Sequence, residues 1–411
     1  MVDPDLTVVV LAHDRPRSLR RLLDSLARAE CGPRTPLVIS IDPGGVNLEE
    51  VSAVARGFGS WPGPVEVRIA EEPLGLVGHF IGAGSMTSEV GPVVLLEDDL
   101  VVGPGFALWA AAALGAYGGS PLVGGVSLNS LWFHGIRHLP FETLLDGSDA
   151  FAVSVAWFHG LVLHPRWWAE FRDWSDRESG APGMAGRGGP GESSPVDLPG
   201  VFSEFAPDEW FPTMTRWLVD SGRTFVFPRW SHATNHGDVG AHFDHPTDWF
   251  QTPLAESCPD PRLPEEGAWV GYDAWQEIQL ESLFRRVPSL AERTGGDLTM
   301  DLWALRERSD VSTEWIITTR GTANPECSWG ASLRPLEANV IGGSAGGSIH
   351  LCRVDDVDWS PRGARVARRT LARHAAHGRP PSIREAVGNG VVDRLVGLRS
   401  RLVASGGGGD R

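Results

Sequence analysis

Residues 92–99 read Pro92-Val93-Val94-Leu95-Leu96-Glu97-Asp98-Asp99. The apolar run is too short for a helix and lacks the polar alternation of a half-exposed strand. It predicts a strand buried on both faces, as in sheets covered by helices on either side. Consecutive carboxylates at the end of such a strand are costly to hold together unless a cation or water compensates them.

Working outward, Thr7-Val8-Val9-Val10-Leu11-Ala12, Leu37-Val38-Ile39-Ser40-Ile41 and Val65-Glu66-Val67-Arg68-Ile69 predict three earlier strands. Between them, Leu19, Leu22, Leu23 and Leu26 recur at helical spacing after Pro16. Leu48, Val51, Val54 and Phe58 suggest a second helix, and the stretch from Leu76 to Met86 a third. Strands alternating with helices at this spacing predict right-handed crossovers and a mainly parallel α/β sheet. Ligands in such sheets sit at the carboxyl ends of the strands. The polar residues fall there: His13 and Asp14 after the first strand, Asp42 after the second, Glu97 to Asp99 after the fourth.

Beyond residue 104 the pattern predicts a helix over Phe106–Tyr117, a strand over Val123–Leu128 and one or two strands between Ala152 and Leu163. Residues 177–200, rich in Gly, Pro and Ser, read as a mobile loop. A helix is expected from Asp208 to Asp220, a strand over Thr224–Phe227, and short strands within 311–356. Arginines on helical spacing mark 362–403, ahead of a glycine-rich end.

The formal charge of −16 argues against a nucleic-acid partner, because nothing offsets phosphate repulsion. Every basic residue other than histidine is arginine, which reads as coding bias. Cys31, Cys258, Cys327 and Cys352 are far apart and form no Cys-x-x-Cys pair, so neither a zinc site nor a disulfide framework is expected. With no secretory-type or membrane-spanning apolar run, a cytoplasmic protein is expected. The arginines of 362–373 offer peripheral contact with an acidic membrane if the acceptor is lipid-linked, though a solvated helix face is the better account of them.

Carboxylate oxygens at a strand end suit Mg²⁺ or Mn²⁺, which keep open positions for phosphate oxygens. Residues 11–16 carry neither the paired acids of a receiver domain nor the Asp-x-Asp-x-Thr of a haloacid-dehalogenase phosphatase. There is no Gly-x-x-x-x-Gly-Lys loop, so a bound nucleotide diphosphate is expected to rest on metal.

Val8 to Asp14, the leucine-rich helix, Ile39-Ser40-Ile41-Asp42 and Leu95-Leu96-Glu97-Asp98-Asp99-Leu100 together resemble the donor-binding half of GT-A glycosyltransferases. The nearest likeness is to the N-acetylglucosaminyltransferase I group, with family 2 glycosyltransferases as wider relatives. It continues more weakly through Phe205-Ala206-Pro207-Asp208-Glu209-Trp210 and Phe227-Pro228-Arg229 to about residue 243. The resemblance implies a GT-A, Rossmann-like domain over 1–250, with a nucleotide-sugar half to 103 and an acceptor and catalytic half after it. A β-containing extension (251–360) and an Arg-rich helical tail (361–411) would follow.

By that resemblance Asp99 is the direct metal ligand, Asp98 touches the metal shell or ribose, and Glu97 faces the donor sugar. Asp42 contacts the nucleoside, and the turn of Ala12, His13, Asp14 and Arg15 wraps the base. Glu209 aligns with the catalytic base beside Asp208, although the family usually has two Asp before the Trp. Read as residues alone, Asp208 is an N-cap and Glu209 a first-turn acid favoured by the helix dipole, with no catalysis required.

Four further groups have less specific readings. Among His232, His236, His242 and His245, His236 and His242 flank Gly237 and Gly240, the setting of a lid from which a histidine would reach metal or diphosphate, although surface or hydrogen-bonded loop roles are the commoner account. Arg229 would pair with diphosphate oxygens or with a surface carboxylate. Trp132, Phe133 and His134 would border the acceptor cleft, while Trp157, Trp167, Trp168 and Trp210 fit a core equally well. The implied activity is metal-dependent, inverting transfer from a UDP-sugar to a hydroxyl on a glycan, lipid-linked or small-molecule acceptor. The rivals are a nucleotidyltransferase that makes sugar nucleotides, for which His13-Asp14-Arg15-Pro16 is the wrong phosphate loop, and a non-catalytic binding protein.

Overall fold

A computed structural model describes residues 5–179, 197–205, 209–239, 246–257 and 260–376. The chain divides into two compact units, one of residues 1–198 with 205–282, the other of 199–204 with 283–411.

The first unit opens as the periodicity predicts. β1 (Thr7–Ala12) is buried along its whole length. α1 (Pro16–Leu26) begins with proline in its first turn and buries Leu19, Leu22, Leu23 and Leu26. Each of those leucines contributes about 2 kcal/mol of transfer free energy. There follow β2 (Leu37–Ile41), α2 (Leu48–Arg56), β3 (Val65–Ile69), α3 (Gly75–Ser85), the single turn α4 (Thr87–Val90) and β4 (Val93–Glu97). Next come β5 (Leu100–Val102), α5 (Phe106–Tyr117), β6 (Val123–Ser127), β7 (Phe133–His134), β8 (Leu139–Pro140), β9 (Ala150–Val153) and β10 (Leu161–Leu163). After α6 (Pro165–Ser179) the unit continues with α7 (Trp210–Asp220), β11 (Thr224–Pro228), β12 (Ala233–Asn235) and β13 (Gly271–Tyr272).

Nine strands form one sheet in the order β13-β9-β11-β6-β10-β4-β1-β2-β3. Its β3-β2-β1-β4 half is parallel throughout. β10 runs antiparallel to both its neighbours, β4 and β6, so the other half is mixed. This is the α/β architecture expected, a mainly parallel sheet flanked by helices. Register decides what the sheet presents. Ala12 pairs with Ile41 and Leu11 with Glu97, so the segments after β1, β2 and β4 leave one edge at the same level. The crossover from β1 runs to β2 on one side while β4 lies on the other, which opens a crevice at that edge.

The boundary expected near residue 250 leaves β13 out of the sheet, whereas its two residues pair with β9. A strand that short carries no periodicity to read. α8 (Leu280–Phe284) spans the junction of the two units along the chain.

The second unit holds α9 (Pro288–Thr294), β14 (Leu298–Asp301), β15 (Trp315–Thr318), β16 (Cys327–Trp329), α10 (Glu337–Ile341), β17 (Ile349–Arg353) and α11 (Pro361–Ala375). Its sheet runs β14-β15-β17-β16, around a core that includes Val311, Ile316, Cys352 and Val354. This is the β-containing extension the sequence predicts. Among the described residues no helix is long and apolar enough to cross a membrane. Cys31, Cys327 and Cys352 are free thiols. Cys258, residues 180–196 of the expected loop and the tail from 377 lie outside the described residues.

Candidate active site

Asp98 and Asp99 occupy the tight turn between β4 and β5, directly after Glu97. Asp98 is 2% exposed. Arg15, the residue before α1, reaches across from the neighbouring strand end. Its Nη1 donates to Asp99 Oδ2 at 2.9 Å and its Nη2 to Asp98 Oδ1. One guanidinium thus bridges the two aspartates.

A single positive charge does not balance the acids gathered here. Burial, then Asp99 and Asp98, push Glu97 up to about 8, with Arg15 opposing and Glu209 adding to the rise. Burial likewise lifts Asp98 to about 6 against the pull of Arg15. Burial alone would lower Arg15; Asp98 and Asp99 outweigh it and hold its pKa above the ordinary value.

The late polar segment comes to the same turn. β12 pairs antiparallel with β5, and the next residue, His236, donates its backbone N–H to Asp99 O at 3.0 Å. The His236 ring is lowered by burial and by Arg21, while Asp99 raises it. Two residues on, Asp238 pairs with Arg21 and accepts from Ser18 Oγ at 2.7 Å, which ties the segment to α1. Gly237 between them has φ +65, and a Cβ there would lie 1.7 Å from Thr247 O, so only glycine fits. The backbone of His236 thus lies against the β4–β5 turn. His232 does not: it is 5% exposed, stacked on Trp109 at 5.5 Å and held to about 4 by burial. His242 and His245 lie outside the described residues.

Sequence reasoning missed His159. β10 begins two residues later, and its register with β4 sets Leu161 against Leu95, so residue 159 falls level with Glu97. His159 is 5% exposed and packs against Phe158, Phe250 and Trp157 at ring-centroid distances of 4.4, 5.4 and 5.7 Å. Its Nε2 lies 3.4 Å from Asn235 Nδ2, while its Nδ1 and Asn235 Oδ1 are buried without a protein partner. Burial lowers it to about 4, and Asp99 opposes that shift. The missed signal is a polar residue just before a strand whose antiparallel direction, unreadable from its own sequence, starts it at the site.

On the β1–β2 side the expected contact residues prove to build the turns. Asp42 is 3% exposed; its Oδ1 accepts from the Gly44 and Leu74 amides at 3.2 and 3.3 Å, and its Oδ2 from Gly75 N at 2.8 Å. It thus caps α3, a use that its position after a strand did not reveal. Ala12 is buried, its carbonyl accepting from Asp42 N at 2.9 Å. Asp14 Oδ1 accepts from Asn47 N at 2.6 Å, and His13 Nδ1 lies 3.3 Å from Asp42 O. His79, also unforeseen, sits beneath with Nε2 2.8 Å from Ser40 Oγ.

Helix α7 starts at Trp210, so Glu209 is the N-cap residue rather than a first-turn acid. Its carbonyl accepts from Thr213, but its side chain makes no capping bond. Trp210 stacks on Phe80 of α3 at 3.8 Å, worth about 1 kcal/mol beyond burial, and so anchors that end of the helix. Glu209 lies close enough to Glu97 to raise it. Asp208 lies outside the described residues.

Of its two expected partners, diphosphate or a carboxylate, Arg229 takes a carboxylate. It bonds Ser148 O, Thr143 Oγ1 and Asp146 Oδ1 at 3.0, 2.9 and 3.0 Å, with its side chain 8% exposed. Its reach is spent on fastening the loop before β9. Trp157, Trp167, Trp168 and Trp210 are all core. Trp132 is 39% exposed and meets Trp230 edge to face at 5.7 Å, whereas His134 is buried.

The donor set, aspartate and glutamate oxygens with orphaned polar atoms of His159 and Asn235 nearby, suits a hard divalent cation. Among the described residues, however, no three such side chains converge as a finished metal shell. Arg15 bridges the two aspartates instead.

No protein-family model matches the chain, and no curated protein does. Solved structures overlap it in part. S. aureus TarS 1-349 in complex with UDP shares 13% identity over 56% of this chain and 59% of its own, with a TM-score of 0.36. The mannosyltransferase PcManGT from Pyrobaculum calidifontis, in complex with GDP-Man and Mn²⁺, shares 18% over 32% and 36%, at 0.26. A cytidylyltransferase from Leptospira borgpetersenii shares 11% over 41% and 64%, at 0.27. The matched region is under two thirds of each neighbour's own length.

Proposed function

We propose that this chain is a glycosyltransferase that moves a sugar from a nucleoside diphosphate, preferentially UDP, to a hydroxyl of a glycan, lipid-linked or small-molecule acceptor. One observation carries the reading. Glu97, Asp98, Asp99, Arg15, Glu209 and the His236 segment, from four separate stretches of chain, meet at the carboxyl edge of the parallel strands.

Asp98 and Asp99 would hold Mg²⁺ or Mn²⁺, which supplies positive charge to the departing diphosphate when bound. The turns braced by Asp14 and Asp42 frame the space for the nucleoside, and Glu97 faces the sugar. Glu209, its carboxylate unspent on capping, takes the proton of the acceptor hydroxyl. The acceptor oxygen bonds to the anomeric carbon as the bond to the diphosphate breaks, in one inverting displacement. A second acid at 209 has one more methylene than the aspartate the resemblance leads one to expect, which moves the base further from the α7 backbone.

A thermal-shift panel of nucleoside diphosphates and their sugars, with and without Mn²⁺, tests this. The largest stabilisation is expected from a uridine diphosphate species with metal, and Asp99→Ala should abolish it. Glu209→Gln should keep the stabilisation and lower turnover about a hundredfold or more. Full turnover in Glu209→Gln would reject the base, and no nucleotide response at all would reject the transferase.

A further inference from the structure

Asp98 and Asp99 are not free ligands, since each already gives an oxygen to the guanidinium of Arg15. The planar fork of an arginine matches two carboxylates, and it matches two phosphate oxygens equally well. A divalent cation that gathered oxygens from both aspartates would displace that guanidinium, which would then need another anion. Arg15 is free to find one: its side chain is 30% exposed, and it stands directly before α1, whose first amides also favour phosphate oxygens.

A second observation points the same way. His159 Nδ1 and Asn235 Oδ1 are buried beside this turn without a protein partner. Buried polar atoms are seldom left unpaired. The bridged arrangement therefore leaves unsatisfied the groups that a differently occupied site could engage.

We propose that Arg15 couples metal to nucleotide: it is the counter-ion of Asp98 and Asp99 while the site is empty, and the partner of the diphosphate once donor arrives. The coupling rests on the transferase reading above. Metal competes with Arg15 for the aspartates, the aspartates compete with the diphosphate for Arg15, and binding of either ligand relieves the other's competition. Metal and nucleotide then bind as a cooperative pair, and linkage requires each to raise the affinity of the other by the same factor.

The experiment measures Mn²⁺ binding by loss of the free-ion electron paramagnetic resonance signal, and UDP binding by calorimetry, each alone and with the other saturating. In the parent chain each ligand should tighten the other on the order of tenfold. In Arg15→Gln, Mn²⁺ alone should bind more tightly than to the parent, and the coupling should fall about threefold or more, leaving only what direct contact between metal and diphosphate supplies. Should Arg15→Gln not fold, Arg15→Lys carries the same test, since a point charge keeps the cation but loses the fork. Undiminished coupling in the folded variant, or Mn²⁺ binding to the parent as tightly without UDP as with it, overturns the role of Arg15 alone. A parent chain that binds no nucleotide overturns the transferase reading as well.

Discussion

Two arginine–carboxylate sites, one in each unit, show opposite uses of the same chemistry. In the second unit Asp301 ends β14 wholly buried, and Arg320, 5% exposed, lies against it at 3.4 Å. Asp301 also accepts from the Leu305 and Arg306 amides at 2.9 and 3.0 Å and from Thr318 Oγ1 at 3.2 Å. Arg320 in turn donates to the carbonyls of Ala304 and Arg306. One acid meets Arg320 with the buried Arg306 close by, so base outnumbers acid, and Asp301 and Arg320 are both engaged in further bonds. At the β4 edge of the first unit, three successive acids and Glu209 face one arginine, with polar atoms of His159 and Asn235 unpaired close by. A closed pair of the first kind locks a fold. An overloaded cluster of the second kind is costly to the ligand-free fold and is relieved by a bound cation.

The largest effect should come from breaking the closed pair. Asp301→Ala leaves the buried Arg320 uncompensated and should cost about 3–5 kcal/mol, read as a lower unfolding midpoint in denaturant. Nucleotide binding at the β4 edge is not expected to depend on it. A cost below about 1 kcal/mol would show that water reaches the pair and that the contrast between the two sites is false.

In the overloaded cluster the sign should reverse. Because Glu97 is held up at about 8, the folded chain retains protons that the unfolded chain releases near its ordinary value of 4.5. The contribution of Glu97 to stability should therefore decline as pH rises from about 5 to about 8. Glu97→Gln removes that decline, and above about pH 8 it should be more stable than the parent by about 1–2 kcal/mol. Thermal unfolding across that range decides it; a variant less stable than the parent at alkaline pH would make Glu97 a structural acid.

The smallest effect should come from an exposed pair with neither burial nor crowding. Arg308 and Asp355 lie 3.1 Å apart with side chains 52% and 89% exposed. Asp355→Ala, which leaves the bond from Arg308 to Val311 O in place, should shift stability by about 0.5 kcal/mol or less, vanishing in high salt. A larger loss would mean that proximity of charge alone, rather than its enclosure, sets the scale.

The sequence by itself determined the parallel half of the first sheet and the acids at its rim. β-branched runs, leucines at helical spacing and polar residues at strand ends are local patterns, and local sterics and burial enforce them within a few residues. Only tertiary structure decided what those polar groups do. Asp42 turned inward to cap α3, Arg229 was drawn off to the 143–149 loop, and Arg15 was thrown across to bridge Asp98 and Asp99. The same packing brought in His159, since the antiparallel direction of β10 is a property of its neighbours. A side chain's partners depend on strand order and register, which are settled by how separate elements bury their apolar faces together, and no window of neighbouring residues contains that information.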